Sequence, residues 1–184
     1  MLSNSPHNRY RPPTVLRDLV LLDLLELTGS TTAAAAHLAL SQPSVSRRYR
    51  AVASDLGLER QHDGPVGRRY GNTVWLAWLR RGVNHHRLSC GVVRVGGSAQ
   101  QGGVLRDCHW AEWVTLGRAA QAQWRQLLKL ELLDAVALHQ APSSWDAGSS
   151  DLALLSVDCG WPQPLWLACR RQPEILSIVH AWTH

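Results

Sequence analysis

Gln42, Pro43, Ser46, Arg47 and Arg50 fall within the stretch "SQPSVSRRYR". At 100° per residue they share one arc of a helix, and Val45, Tyr49, Val52 and Leu56 share the adjoining arc. One side is therefore dry and the other is polar. Arginine can donate two hydrogen bonds to guanine, and glutamine can pair with adenine, in the major groove of a duplex. The hydroxyls of Ser41 and Ser44, with the free amides of a first helical turn, can hold phosphate oxygens. A run such as Arg47, Arg48 and Arg50 is on its own more often a solvated face, so the neighbouring elements must decide. Arg48, on the flank, would meet a phosphate or nothing. Tyr49 lies on the inward arc and reads as a core ring with a wet hydroxyl rather than a base-stacking platform.

The segments that would position these groups are helical. In residues 15–27, Leu16, Leu19, Val20 and Leu27 recur at helical spacing, and Gly29 supplies a stop. Arg17, Asp18, Asp23 and Glu26 interrupt this run, which is also too short to span a membrane. Ser30, Thr31 and Thr32 offer capping hydroxyls to a second helix over 33–40, whose four consecutive alanines allow close approach of a neighbour. Ser41 can cap a third helix. Pro43 is tolerated in its first turn, where amides have no intrahelical acceptor, and Gly57 ends it. Two helices joined by a tight turn, the second presenting Gln, Ser and Arg, make a major-groove reading unit.

The stretch "LRDLVLLDLLELTGSTTAAAAHLALSQPSVSRRYRAVASDLGL", residues 16–58, resembles the N-terminal DNA-binding domain of LysR-type transcriptional regulators. The likeness rests on Gly29-Ser30, Ala34-Ala35 with Leu38, the run from Ser41 through Arg47, and Leu56-Gly57. It implies an N-terminal, mainly α winged helix-turn-helix, then a linker helix that pairs two subunits, then an α/β effector domain. By position, Gln42, Pro43, Ser46 and Arg47 would meet DNA, Thr31 or Thr32 would lie near the backbone, and Arg68 and Arg69 would form a basic wing. The chain departs from the family after Leu58, where Glu59-Arg60-Gln61-His62 replaces a leucine-phenylalanine-x-arginine element. In "RRYGNTVWLAWLRRG", Trp75, Leu76, Leu79 and Val83 could line a helix–helix seam.

These observations divide the chain into a loose arm over 1–13, a winged helix-turn-helix over 14–70, a linker helix for dimerisation over 71–91, and a shortened α/β effector-like domain over 92–184. The last segment has room for about one lobe of a two-lobed sensor. Within it "GVVRVGG" resembles an opening strand. "WRQLLKLELLDAVAL" resembles a helix, turn and strand, and "LWLACRRQPEILSIVHAWTH" a strand and closing helix.

Charge follows the same division. Residues 1–91 carry twelve arginines against six acids, whereas 92–184 carry seven basic and eight acidic groups. A cationic front half suits a polyanion. Cys90, Cys108, Cys159 and Cys169 show no close pairing and no secretory signal opens the chain, which reads as reduced cytosolic thiols. Neither the pairs His85-His86 and Cys108-His109 nor the scattered cysteines have the spacing of a zinc site, and no phosphate-cradling, dinucleotide or nucleophile motif is present. All nine tryptophans follow residue 74 in a chain without phenylalanine, so they supply core packing rather than a platform for single strands.

The expected protein is thus a cytoplasmic, sequence-specific regulator of LysR type that binds double-stranded DNA as a homodimer or tetramer. It has no metal, cofactor, membrane contact or enzymatic activity, its ligand sensing is reduced or lost, and any small-molecule effector is left open. The alternative is a non-sensing architectural or interaction module that binds DNA or pairs with full-length relatives.

Overall fold

The leucine-rich segment over residues 19–27 is buried on every side. In the computed structural model, which describes residues 10–71, 73–105, 108–143, 145, 151–158 and 164–183, a short 3-10 turn, Thr14–Leu16, leads into α1, Arg17–Thr28. Residues 1–9 of the expected arm, Asn72 and Cys159 lie outside the described residues. Every α1 residue from 19 to 27 is buried, Asp23 and Glu26 included. The spacing of Leu16, Leu19, Val20 and Leu27 points to a helix here, and burial on all sides marks it as one held between two layers. Gly29, at φ 65°, ends it with its amide bonded to the Leu25 carbonyl at 3.0 Å.

One layer over α1 is α2, Thr31–Leu38, with α3, Gln42–Asp55. Ser30 caps α2, its Oγ accepting from the Ala33 amide at 3.2 Å, so this helix begins two residues earlier than expected. Ala34 and Ala35 are its buried residues. The other layer is a sheet. After α4, Val74–Ser89, the chain forms β1, Val93–Gly97; α5, Ala99–Leu105; β2, Ala111–Thr115; α6, Arg118–Ala122; and α7, Trp124–Lys129. It continues with β3, Ala135–Leu138; β4, Leu152–Val157; β5, Leu165–Arg170; and α8, Pro173–Thr183. The strand order is β2-β1-β3-β5-β4. β1 pairs in parallel with β2 and β3, and β5 pairs antiparallel with β3 and β4.

The two faces of this sheet serve two apolar clusters. Val93, Val95, Ala135, Ala137, Leu165, Leu167 and Cys169 pack with Ile175 and Val179 of α8. On the opposite face Val114, Val136 and Ala168 join the α1 leucines, together with Leu127 and Leu128 of α7. A single cluster therefore crosses from the helical front half into the sheet. No helix among the described residues is long and apolar enough to cross a membrane.

The α1 side of the sheet also carries charge, arranged in a row. Glu112 on β2 is in register with Arg94 on β1. The Asp134 amide bonds to the Arg94 carbonyl at 3.0 Å, and the Arg170 amide to the Asp134 carbonyl at 2.9 Å. Glu112, Arg94, Asp134 and Arg170 thus alternate in sign across four neighbouring strands. Arg94 Nε donates to Glu112 at 2.8 Å, and Arg170 Nη2 to Asp134 at 2.7 Å. The helices add the remaining charges. Arg80 of α4 donates to Asp23 of α1 at 2.8 Å, Arg94 reaches the other Asp23 oxygen at 3.3 Å, and Arg87 of α4 donates to Asp134 at 2.5 Å. Arg170 also approaches Glu131 at 3.6 Å.

Burial would raise the Asp134 carboxyl, but Arg87 and Arg170, with the Arg94 amide, outweigh it and hold it below the ordinary carboxylate range. Burial acts the same way on Glu112, where Arg94, then His37 and Arg87, hold the carboxyl well below that range.

Removing one member of this network leaves a buried charge unpaired, which costs about 3–5 kcal/mol. Arg94→Met is expected to lose stability on that scale in urea unfolding. The pH dependence follows from the lowered carboxyls. The unfolded chain binds their protons first, so their stabilisation is complete above a pH of about 5 and is lost as pH falls through the folded values. Wild type should accordingly lose denaturant resistance below that point, and Arg94→Met should show a shallower acid decline.

Candidate nucleic-acid interface

Three short helices and one loop build the candidate interface. Val45 and Val52 of α3 are buried against α1 and α2, Leu56 packs on the same cluster, and Tyr49 stacks edge-on with Tyr70 at 5.3 Å. Burial raises the Tyr49 phenol above its ordinary value. The expected inward arc is therefore the observed one, and the opposite face is turned to solvent. Gln42, Pro43, Arg47 and Arg50 are exposed and Ser46 is half-buried.

The polar tips are tied to one another. Gln42 Nε2 donates to Thr31 Oγ1 at 3.1 Å and to Ser46 Oγ at 3.3 Å, linking the start of α2 to the outer face of α3. Ser41 caps α3 by accepting from the Ser44 amide at 3.3 Å, and the two hydroxyls lie 2.8 Å apart. Arg47 Nη2 donates to Ser44 Oγ at 3.1 Å, and Arg50 Nε to the Ser46 carbonyl at 3.3 Å. Thr32 is exposed at the first turn of α2. Side chains held this way lose less rotamer freedom on meeting a partner. Arg48, on the flank, faces Asp18 at 3.8 Å.

The loop between α3 and α4 differs from expectation. Its described residues hold no β-hairpin; its two arms meet through one backbone bond, Gln61 amide to Arg69 carbonyl, at 2.8 Å. Glu26 of α1 draws this loop inward. Its carboxylate accepts from the Gly67 amide at 2.9 Å, the Tyr70 amide at 2.6 Å and Arg69 Nε at 3.3 Å. Burial raises this carboxyl, and those three donors offset it only in part. Gly67 has φ 93°, and a Cβ there would meet Leu130 Cδ1 at 2.5 Å, so this close approach requires glycine.

Arg69 also donates to the Glu26 carbonyl at 2.6 Å. The expectation that Arg69 serves a DNA-facing wing is corrected accordingly: its guanidinium is spent on the loop anchor. Arg68 is exposed, and Arg60 lies over the Tyr70 ring at 5.0 Å.

The expected seam on α4 is also revised. Leu76 and Val83 are 4% and 1% exposed and belong to the chain's own core, in line with Arg80, Asn84 and Arg87, whose ion pairs and hydrogen bonds fix that face inward. Trp75 packs against the same core. Only Leu79 of the four faces solvent, where it joins Val74 and Trp78.

Among the described residues no group of three or more His, Cys, Asp or Glu side chains could hold a metal. Burial, with Asp134 nearby, pushes the Cys169 thiol up to about 12, far from a reactive thiolate.

No protein family model matches the chain, and no curated protein matches it. Among solved structures it is similar to full-length OxyR from Pseudomonas aeruginosa carrying a cysteine-to-aspartate substitution, with 15% identity and a TM-score of 0.39 over 77% of this chain and 54% of that one. It is also similar to HinK, a LysR family transcriptional regulator from the same organism, with 18% identity and a TM-score of 0.31 over 77% and 51% of the two chains. CrgA, a LysR-type transcriptional regulator from Neisseria meningitidis, gives 17% identity and a TM-score of 0.31 over 77% and 53%. The chain spans about half the length of these structures.

The two loop arginines should separate cleanly in thermal and urea unfolding. Arg69→Ala removes donors from a buried carboxylate and is expected to cost about 1.5–3 kcal/mol. Arg68→Ala should leave stability within about 0.5 kcal/mol of wild type, as exposed substitutions do. Equal effects would contradict the anchoring role.

Proposed function

We propose that this chain is a sequence-specific, double-stranded DNA-binding transcriptional regulator of LysR type. The observation that carries the proposal is the solvent-facing row of Gln42, Ser46, Arg47 and Arg50 on α3, tethered through Gln42 to Thr31 on α2. A helix entering the major groove from its N-terminal end would bring Gln42, Ser46 and Arg47 to base edges. Ser41, Pro43 and Ser44 of that first turn, with Thr31, Thr32 and Arg50, would contact the backbone and fix the register. Arg68 would add a phosphate contact from the loop.

The protein acts as a homodimer or tetramer in the cytoplasm and is not an enzyme. In this proposal the outer apolar strip of α4, Val74, Trp78 and Leu79, takes the pairing role. The single five-stranded sheet among the described residues supports reduced or lost ligand sensing. That single sheet also favours a second reading, in which the chain is an architectural module that pairs with full-length relatives.

Binding measured at several salt concentrations tests the proposal. Arg47→Ala should lose about 1–3 kcal/mol of discrimination between preferred and altered duplexes. Arg68→Ala should weaken all duplexes alike and reduce the salt slope by about one. Equal wild-type affinity for every duplex would overturn specific recognition.

A further inference from the structure

A cleft of about 890 Å³ lies between the helix-turn-helix and the sheet edge. That volume is within the range of about 300–1,000 Å³ typical of small-molecule sites. Its walls include Val20 and Leu21 of α1, Ala36 and His37 of α2, and Trp113 and Thr115 of β2. Most of these surfaces are apolar.

β2 is the last strand on its side of the sheet. The bonds from the Val93 amide to the Trp110 carbonyl and from the Leu116 amide to the Gly97 carbonyl fix which residues face β1. In a parallel ladder the alternate residues turn their peptide groups the other way. The amides of Trp113 and Thr115 therefore point away from the sheet, and both residues line the cleft. A chamber with apolar walls and edge-strand amides turned toward one side suits a ligand with acceptor atoms.

The lip gives the sign of the ligand. Arg11, Arg17 and Arg48 line the cleft, and among the described residues Arg11 and Arg17 have no carboxylate partner. The one acid in the lining, Glu112, is already matched by Arg94 at 2.8 Å and by His37 at 3.4 Å. A cation would meet uncompensated guanidinium charge. A small inorganic anion would leave the apolar walls unused.

We propose that this cleft binds an amphipathic organic anion, a carboxylate or sulfonate at the arginine lip with its apolar body against Ala36, Leu38 and Leu40. None of Gln42, Ser46, Arg47 and Arg50 lines the cleft, so the site stands independently of the DNA-reading proposal. Because α2 forms one wall, an occupant touches the element that carries Thr31.

Calorimetric titration of the full chain tests the site, using naphthoate as probe, naphthalene methanol as its uncharged counterpart and inorganic phosphate as an anion without an apolar body. Naphthoate should saturate one site per chain and bind about tenfold or more tighter than the alcohol, the scale of one charge-assisted contact. Phosphate at the same concentration should neither bind nor displace it. Arg17→Ala should weaken naphthoate about tenfold, and Ala36→Trp, whose ring would occupy the chamber, should abolish binding. Arg17 is exposed at the start of α1, so its variant keeps the test decisive if Ala36→Trp fails to fold. Equal affinity for acid and alcohol, displacement by phosphate, or unchanged binding in Arg17→Ala would overturn the proposal.

Discussion

Four arginines and four carboxylates, Arg80, Arg87, Arg94 and Arg170 with Asp23, Glu112, Glu131 and Asp134, form one linked set of ion pairs beneath the sheet. Desolvating each ion costs several kcal/mol, which mutual attraction offsets only where partners and geometry are good. The exposed Arg81 adds a fifth arginine at Glu131, and the sheet register places four of the buried charges in alternating order. The arrangement is demanding. Arg87 must lie over Asp134 and Arg80 over Asp23 at once, which fixes α4 and α1 against the same strands.

That constraint reaches the polar face of α3. With α1 held by Asp23, its Glu26 is in place to anchor the α3–α4 loop, and its apolar side carries α2 and α3. The inward commitment of α4 leaves Val74, Trp78 and Leu79 as its large exposed apolar residues. The cleft follows from the same geometry, since α1 touches both α2 and the β2 edge, and the His37–Glu112 contact joins those two walls.

The local elements of the front half were legible because their signals are local: Gly29 as a stop, Ser30 and Ser41 as caps, and the 3.6-residue spacing of Val45, Tyr49, Val52 and Leu56. The opening strand, the central helix and strand, and the closing strand and helix of the second half also appear where the resemblance placed them. β2 and β4 were not anticipated. β2 is five residues long with Glu112 in its middle, so neither length nor alternation distinguishes it. The buried ion pairs were equally hidden, because partners such as Asp23 and Arg94 meet only in three dimensions. Their effect on the charge argument is direct. Arg69, Arg80, Arg81 and Arg87 belong to the cationic half in sequence, yet each faces a carboxylate of the same chain. The surface left for a polyanion is smaller than the arginine count suggests; it includes Arg47 and Arg50 on α3, Arg68 on the neighbouring loop, and Arg11 and Arg17 at the cleft lip.

The proposed DNA-reading role is tested most directly by selecting bound duplexes from a random pool. The account predicts enrichment of a defined motif repeated in inverted orientation, as expected when a two-fold assembly presents two copies of α3 to successive major grooves. Recovery of duplexes with no shared sequence after repeated rounds would contradict it.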